Sequence, residues 1–298
     1  MTLAKRLIFF IFSFLLIFFI AFWGFKNNFP SKSIAHFLQS NITKKIGFPV
    51  EIDDLELEWQ KISTNRISIF LPKWLTSHNQ KPIFFIENIE LYFLSIFTTG
   101  KIILSGEIHD GKIKISNDVF SKKDMELSLD GLKLQKIPFL DSYPYGKLSG
   151  NLKFSANIIN LKDLRNEKLF FPKGHVKGKI IDSKIIFSGG STFLEFKFPE
   201  LDFSEIFFDF EIGNLITIKR LELKGSLEGK IDGAIQLDKE RPSLSKVNIN
   251  ATILPSPIIK EKIQSLTPIL NPFQCKDTIK VNIKGTISRI KFPTRNKC

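Results

Sequence analysis

The sequence has few of the residues that build disulfide frameworks, metal centres and nucleic-acid surfaces. Its 298 residues include two cysteines and four histidines, too few for a disulfide-rich scaffold or for most zinc modules. Only seven of the 43 basic residues are arginines, whereas recognition of bases and phosphates favours the bidentate guanidinium group. We therefore expect no metal site, no cofactor and no nucleic-acid partner, despite a net charge of +13.

Tyrosine and tryptophan are equally scarce, with three of each against 31 phenylalanines. Phenylalanine is the aromatic residue without a polar group, so this balance favours apolar surroundings. Hydrophobic residues make up 43% of the chain, which excludes wholesale disorder and provides enough apolar surface for a large core.

Motifs of catalysis are also missing. The segment from Gly106 to Lys112 matches a P-loop as far as the lysine, but Ile113 stands where the magnesium-binding hydroxyl belongs. No G-x-S-x-G or H-E-x-x-H motif occurs, and neighbouring carboxylates such as Asp53 and Asp54 are typical of a solvated face or turn. We predict no catalytic residues and a non-enzymatic protein, with an envelope hydrolase as the least favoured alternative.

A long apolar run lies near the start of the chain. Leu7 to Phe25 is free of charge, and 15 of its 19 residues are Leu, Ile or Phe. As a helix it would span about 28 Å, close to the thickness of the hydrocarbon layer, and it is longer than the apolar region of a cleaved signal peptide. We predict a transmembrane anchor over residues 7–25. Its characteristic residues are Leu7, Phe9, Phe12, Leu15, Phe18, Ile20, Trp23 and Phe25.

The basic residues flanking this anchor are too evenly distributed to determine its orientation by charge alone. A short cytoplasmic tail over residues 1–6 and a long domain outside is the expected arrangement. In a bacterium with two membranes, this places the protein in the inner membrane with most of the chain in the periplasm.

After the anchor, residues 31–46 have the pattern of a juxtamembrane amphipathic helix. Ile34, Phe37, Leu38 and Ile42 form one stripe, a serine at the start would cap the helix, and Gly47 would end it. The pattern fits equally a helix packed on the following domain and a helix lying on the bilayer surface.

From Val50 onward, apolar and polar residues alternate, as in Lys112 to Ile115. This alternation is typical of antiparallel strands with one face in water, so residues 50–298 are predicted to form a β-rich domain. The predicted apolar face comprises Leu55, Leu57, Trp59, Ile113, Ile115, Leu194, Phe196, Phe198, Ile206, Phe208, Phe210, Ile212, Val247, Ile249, Val281 and Ile283. Glycines recur among the strands at irregular spacing, which we interpret as turns and bulges.

Helices are too few to cover such a sheet, because only residues 256–266 compete as a second helix. Two architectures remain: an open groove whose apolar face takes a ligand, or a β-sandwich in which a second sheet covers that face. Separately, Cys275 and Cys298 could form a disulfide in an oxidising periplasm.

Five stretches together carry a family resemblance. They are the anchor, Lys44-Lys-Ile-Gly-Phe-Pro-Val50, Asp54-Leu-Glu-Leu-Glu-Trp59, Gly100-Lys-Ile-Ile-Leu-Ser-Gly106-Glu-Ile-His-Asp-Gly111-Lys-Ile113, and Ile283-Lys-Gly285-Thr-Ile-Ser-Arg-Ile-Lys-Phe-Pro293. They resemble the type II secretion protein N family (GspN), which is similar to AsmA-like envelope proteins. The resemblance implies a single-pass inner-membrane protein with a large curled antiparallel sheet in the periplasm, and it implies no catalytic residue.

Two functions follow from this resemblance as expectations. The favoured one is lipid handling or transport in an apolar β-groove that supports cell-envelope biogenesis or protein secretion, with phospholipid or another lipid as the ligand. The alternative is a structural scaffold of the type II secretion system, without lipid binding, that contacts other secretion or envelope proteins.

Overall fold

The computed structural model describes residues 16–17, 19–70, 82–120, 124–141, 146–159, 173–187, 199–238, 244–262, 271–286 and 289–291. The chain is mainly β, with a large open antiparallel sheet and a few short helices. It divides into two compact units, Met1–Leu94 and Ser95–Cys298, here called the N-terminal and C-terminal units. The division lies within residues 50–298, which the alternating pattern predicts as one β-rich domain.

The described part of the N-terminal unit contains a helix of 16 residues and four strands. They are α1 (Ser31–Ile46), β1 (Val50–Ile52), β2 (Leu55–Leu57), β3 (Lys61–Ile69) and β4 (Phe84–Tyr92). β1 and β2 follow one another along one edge of β3, each paired with a different part of it, and β4 pairs along the other edge. Thr64 in β3 donates a hydrogen bond from its hydroxyl to the backbone oxygen of Asp53, between β1 and β2.

Helix α1 has the range that the sequence predicts, and it packs on β1 and β2. Ala35 is buried with Val50, Ile52 and Leu55, and apolar residues including Ile34 and Ile42 pack around them. Phe37, predicted on the same stripe, is instead 65% exposed. It lies two residues, or about 200°, from Ala35 on the helix, and so faces away from the strands.

The two ends of α1 are capped in different ways. Gly47 ends the helix as predicted, with φ of 75° and an N–H bond to the Thr43 oxygen. The predicted serine cap is wrong, because the residue before the helix is Pro30, which gives no side-chain cap. The Ser31 hydroxyl instead accepts a hydrogen bond from the Leu55 N–H at 2.9 Å, which ties the helix to β2.

Residues 16–17 and 19–27 are helical and present large apolar side chains to the outside. Ile17 is 66% exposed and Ile20 is 61% exposed, while Phe22 packs edge-on against Trp59 with ring centres 4.4 Å apart. Residues 7–15 and 18 of the predicted anchor, including Leu7, Phe9, Phe12, Leu15 and Phe18, lie outside the described residues. Within the described part of the chain, no helix is both long and apolar enough to cross a membrane.

The C-terminal unit is built on antiparallel strands. They are β5 (Lys101–Ile108), β6 (Gly111–Asp118), β7 (Asp124–Lys133), β8 (Gly146–Ile159), β9 (Gly174–Phe187), β10 (Leu201–Ile212), β11 (Leu215–Gly225), β12 (Leu227–Gln236), β13 (Lys246–Pro255), β14 (Gln274–Cys275), β15 (Thr278–Thr286) and β16 (Arg289–Lys291). Neighbours along the chain pair from β5 to β13, then β15 joins β13, and both β14 and β16 pair with β15.

Short helical elements of this unit lie between strands. They are α2 (Ser95–Thr99), α3 (Pro138–Asp141), α4 (Pro257–Lys262), and 3₁₀ turns at Leu134–Lys136 and Asn271–Phe273. The second helix expected at 256–266 is thus α4, with residues 263–266 outside the described part. Leu134 and Ile259 on these elements are buried, as is Ile137 between the 3₁₀ turn Leu134–Lys136 and α3.

One face of this sheet carries cross-strand ion pairs. Lys153 bonds Asp130 at 2.7 Å, and Lys224 bonds Glu205 at 2.7 Å. Glu205 has a lowered pKa, mainly because it accepts the hydrogen bond from Lys224. These side chains alternate along each strand with the apolar ones, so the other face is the apolar one.

Candidate functional site: an apolar face with a polar end

Cross-strand pairing aligns the apolar side chains of the C-terminal unit into continuous rows. The first row is Ile113, Leu129, Phe154, Gly178, Phe208, Leu221, Ile231, Ala251 and Val281. The second is Ile115, Leu127, Ala156, Val176, Phe210, Ile218, Gly233, Ile249 and Ile283. The third is Leu132, Leu152, Ile180, Ile206, Leu223, Gly229, Ile253 and Ile279. We call these three rows the apolar face.

The apolar face is wide and contains no polar residue from β6 to β15. Adjacent strands are ~4.8 Å apart, so a row measures roughly 40 Å across the sheet. Monomeric proteins rarely expose a continuous apolar patch of this extent unless it binds something.

No second sheet covers this face among the described residues, since the strands of the C-terminal unit all belong to one sheet. Leu129, Ala156, Ile206, Ile218 and Ala251 are buried, but most of the other side chains in the rows are only partly buried. The inner residues of a closed sandwich would be largely buried, because a facing sheet packs about 10 Å away. The sandwich alternative is therefore wrong, and the sheet is open.

Aromatic rings form the centre of the apolar face. Phe208 and Phe210 stack with ring centres 5.4 Å apart. Gly178, opposite Phe208, leaves room for its ring, because a Cβ there would lie 2.6 Å from Phe208 Cζ. The preceding residue, Phe207, lies on the polar face, where the Arg220 guanidinium carbon is 5.0 Å from its ring centre.

The structure places eight of the sixteen predicted groove residues on the apolar face. Ile113, Ile115, Ile206, Phe208, Phe210, Ile249, Val281 and Ile283 are in the three rows, and Ile212 and Val247 lie two residues further along β10 and β13. Leu194, Phe196 and Phe198 lie outside the described residues.

Three predicted groove residues belong to the N-terminal unit instead. Leu55 is buried beneath α1, and Leu57 is buried on the same strand, so neither lines an open face. Trp59 follows β2 and contacts Phe22. The alternation of Leu55 and Leu57 correctly indicated a strand. Helix α1 packs on this strand, and an alternating pattern does not show whether a helix covers the apolar side.

Sequence reasoning missed several residues of the apolar face, among them Leu127, Leu152, Phe154, Val176 and Ile180. Irregular pairing explains this, because register shifts lie between Leu129 and Leu132 and between Ser149 and Asn151. Each shift interrupts the two-residue period on which the pattern depends. The short alternating run Leu127–Leu129 was the available signal.

A cavity of about 830 Å³ lies at one end of the apolar face, where β8, β10 and β12 begin and β9, β11 and β13 end. Its lining combines apolar, hydroxyl and charged side chains. The lining residues are Ser149, Asp182, Ser183, Lys184, Glu200, Asp202, Phe203, Ser204, Gly225, Ser226, Ser256, Ile258, Ile259 and Lys262.

A bulge in β9 brings Ser183 into this cavity. Asp182 has φ of 50°, and the pairing of β9 with β8 passes from Ile181 opposite Asn151 to Lys184 opposite Ser149, so β9 has one extra residue there. The pairing with β10 stays in register, with Ser183 opposite Phe203. Ser183 is only 2% exposed, and its hydroxyl oxygen has no hydrogen-bond partner among the described residues. Burying an unpaired hydroxyl costs about 1–3 kcal/mol, so this position is where a further polar atom would complete a hydrogen bond.

Charged groups of both signs line the same cavity. Lys184 donates a hydrogen bond to Glu200, which raises the pKa of Lys184, and the charge of Asp202 adds to the effect. The Ser226 hydroxyl accepts a hydrogen bond from the Asp202 N–H at 2.9 Å, so its proton stays available for donation to another acceptor. The cavity is thus polar at its rim and apolar at Phe203 and Ile259, both of which are buried.

The chemistry of these residues suits binding. Among the described residues, no three His, Cys, Asp or Glu side chains are grouped so that they could hold a metal ion. Cys275 is 7% exposed and disulfide-bonded. Cys298, its predicted partner, lies outside the described residues.

No family model, curated protein or solved structure matches this chain. The resemblance to the type II secretion protein N family therefore stays a prediction.

Proposed function

We propose that this protein is a membrane-anchored, non-enzymatic lipid-handling protein of the bacterial cell envelope, in which the apolar face of the C-terminal unit binds acyl chains. The observation that carries this proposal is the set of three continuous apolar rows, which no second sheet covers among the described residues. The resemblance to AsmA-like envelope proteins favours the same class of function.

Acyl chains have the chemistry that such a face requires. Each methylene group transferred from water to an apolar surface contributes about 0.8 kcal/mol, so a chain lying across several strands gains several kcal/mol without a specific polar contact. The partly buried Phe208 and Phe210 provide large flat surfaces for this contact.

The location follows from the N-terminal segment. Residues 7–25 would anchor the chain in the inner membrane, and the exposed apolar side chains at Leu16, Ile17, Phe19 and Ile20 support a helix in contact with lipid. The disulfide at Cys275 supports a compartment that is oxidising, such as the periplasm.

Lipid co-purification tests this proposal with a matched pair of variants. The full chain, Phe208→Asp and Phe207→Asp are purified from membranes in the same detergent, and bound phospholipid is counted by extraction and native mass spectrometry. We expect lipid at a reproducible stoichiometry with the unmodified chain and at least tenfold less with Phe208→Asp, because a carboxylate on the apolar face loses its hydration when acyl chains cover it.

Phe207→Asp is the control, since it places the same charge on the neighbouring residue of the polar face, near Lys177 and Arg220. It should keep its lipid, and all three chains carry the same anchor and therefore the same annular lipid. Equal lipid in all three, or none beyond the annular lipid, would refute the proposal. The scaffold role in type II secretion would then be the working account.

A further inference from the structure

We propose that the cavity around Ser183 binds the zwitterionic headgroup, a phosphate ester bearing a primary ammonium, of a lipid whose acyl chains lie on the apolar face. This inference rests on the proposed function and names its ligand class. It assigns the headgroup to one end of the face.

The cavity continues the apolar face. In the third row, Ile180 lies opposite Ile206, which lies opposite Leu223. Three residues further along β9 and β10, past the register shifts against β8 and β11, Ser183 lies opposite Phe203, which lies opposite Gly225. A ligand that follows the apolar rows therefore meets its first buried hydroxyl at this end.

The Ser183 hydroxyl is the observation that indicates a polar ligand atom. It is buried, it lines the cavity, and it has no partner among the described residues. An acyl chain alone would leave it unpaired, whereas a phosphate oxygen would accept its hydrogen bond.

The charges of the lining favour a headgroup with both signs. Asp182, Glu200 and Asp202 provide three carboxylates, and Lys184 and Lys262 provide two ammonium groups. Because Lys184 is already paired with Glu200, the charges left over are two carboxylates and the ammonium of Lys262. They complement a ligand ammonium and a ligand phosphate, respectively, and they disfavour a headgroup that is only anionic.

The test compares lipids that have identical dioleoyl chains and different headgroups. Phosphatidylethanolamine, phosphatidylglycerol and diacylglycerol are titrated against the full chain in detergent, and bound lipid is measured by native mass spectrometry. We expect phosphatidylethanolamine to bind about tenfold more tightly than either of the other two, the difference that hydrogen bonds to a charged group provide.

Ser183→Ala removes the hydroxyl and is expected to abolish this preference, while diacylglycerol binding stays unchanged. Since Ser183 has no partner among the described residues, the change should not weaken folding, which thermal unfolding checks. Ser155→Ala on the polar face is the matched control and should keep the preference. Asp202→Asn should reduce the difference in affinity between phosphatidylethanolamine and phosphatidylglycerol.

The outcomes separate the two proposals. Equal affinity for the three lipids, or a preference that survives in Ser183→Ala, would overturn the headgroup site and leave the lipid-binding face intact. Binding of none of the lipids would overturn the proposed function and the headgroup site together.

Discussion

Asp110 shows how single residues hold a turn of this sheet. His109 and Asp110 link β5 to β6, with φ of 44° and 68°, a left-handed conformation that Asp and Asn tolerate better than most residues. The Asp110 carboxylate bonds Lys133 at 2.8 Å and Lys136 at 2.7 Å. These two lysines, Lys133 first, lower the pKa of Asp110 to about 2.

The pH dependence of stability follows from this shift. A carboxyl whose pKa is lower in the folded state stabilises that state above the unfolded value of about 3.9, and the contribution disappears as the pH falls through about 2. We expect Asp110→Asn, which keeps the left-handed turn, to lower stability at pH 7 and to flatten its change between pH 4 and pH 2. Urea unfolding at these pH values measures both effects, and an NMR titration midpoint for Asp110 near 4 would contradict the argument.

Gly178 allows the close packing of aromatic residues. A Cβ at this position would lie 2.4 Å from the Lys153 backbone oxygen and 2.6 Å from Phe208 Cζ. We expect Gly178→Ala to destabilise the C-terminal unit by about 1–3 kcal/mol through overpacking, as measured by chemical denaturation. Gly213→Ala is the control, because the nearest atom to its Cβ would be 3.8 Å away. An effect of the same size in both variants would mean that crowding around position 178 is not the cause.

Among the secondary-structure elements, the stability of the C-terminal end of α1 depends on Gly47. Gly47 has φ of 75°, and a Cβ there would meet nothing within 4 Å, so any cost of a side chain arises from the backbone alone. We expect Gly47→Ala to cost about 1 kcal/mol and Gly47→Asn to cost less. Hydrogen exchange of the amides near Thr43 measures the fraying of this end. Equal exchange in both variants and the unmodified chain would show that Gly47 is not required.

For the chain taken together, the proposed membrane location depends on the N-terminal segment. We expect the full chain to stay in the membrane pellet after a wash with alkaline carbonate, because an apolar run of 19 residues is long enough to span the hydrocarbon layer. A chain that starts at Asn27 should be released into the supernatant. Release of the full chain by the same wash would rule out a spanning anchor.

Much of the secondary structure could be predicted from local pattern. The alternation at Ile113 and Ile115 or at Ile249 and Ala251 indicates strands because side chains in a strand point to opposite faces in turn. The end of α1 could be predicted because Gly47 suits a left-handed cap. The prediction that the glycines mark turns and bulges holds only in part. Gly174 begins β9 and Gly225 ends β11, but Gly178 and Gly229 lie inside strands, where a small residue leaves room for the atoms opposite it.

The candidate site was less accessible to such reasoning. Ser183 lies between two charged residues in the sequence and carries no signal of its own. It joins the cavity because the bulge at Asp182 changes the register of β9 against β8, and register depends on the partner strand rather than on local sequence.

That this protein is mainly β, with one face of its strands apolar and the other charged, could be predicted from local pattern alone, because such alternation is a local property of the chain. Three features depend on the folded chain: which strands share a face, that α1 covers Leu55 while no second sheet covers the rows of the C-terminal unit among the described residues, and that Ser183 lies at the end of those rows. Coverage and register arise from contacts between residues far apart in the chain, and no local period specifies them.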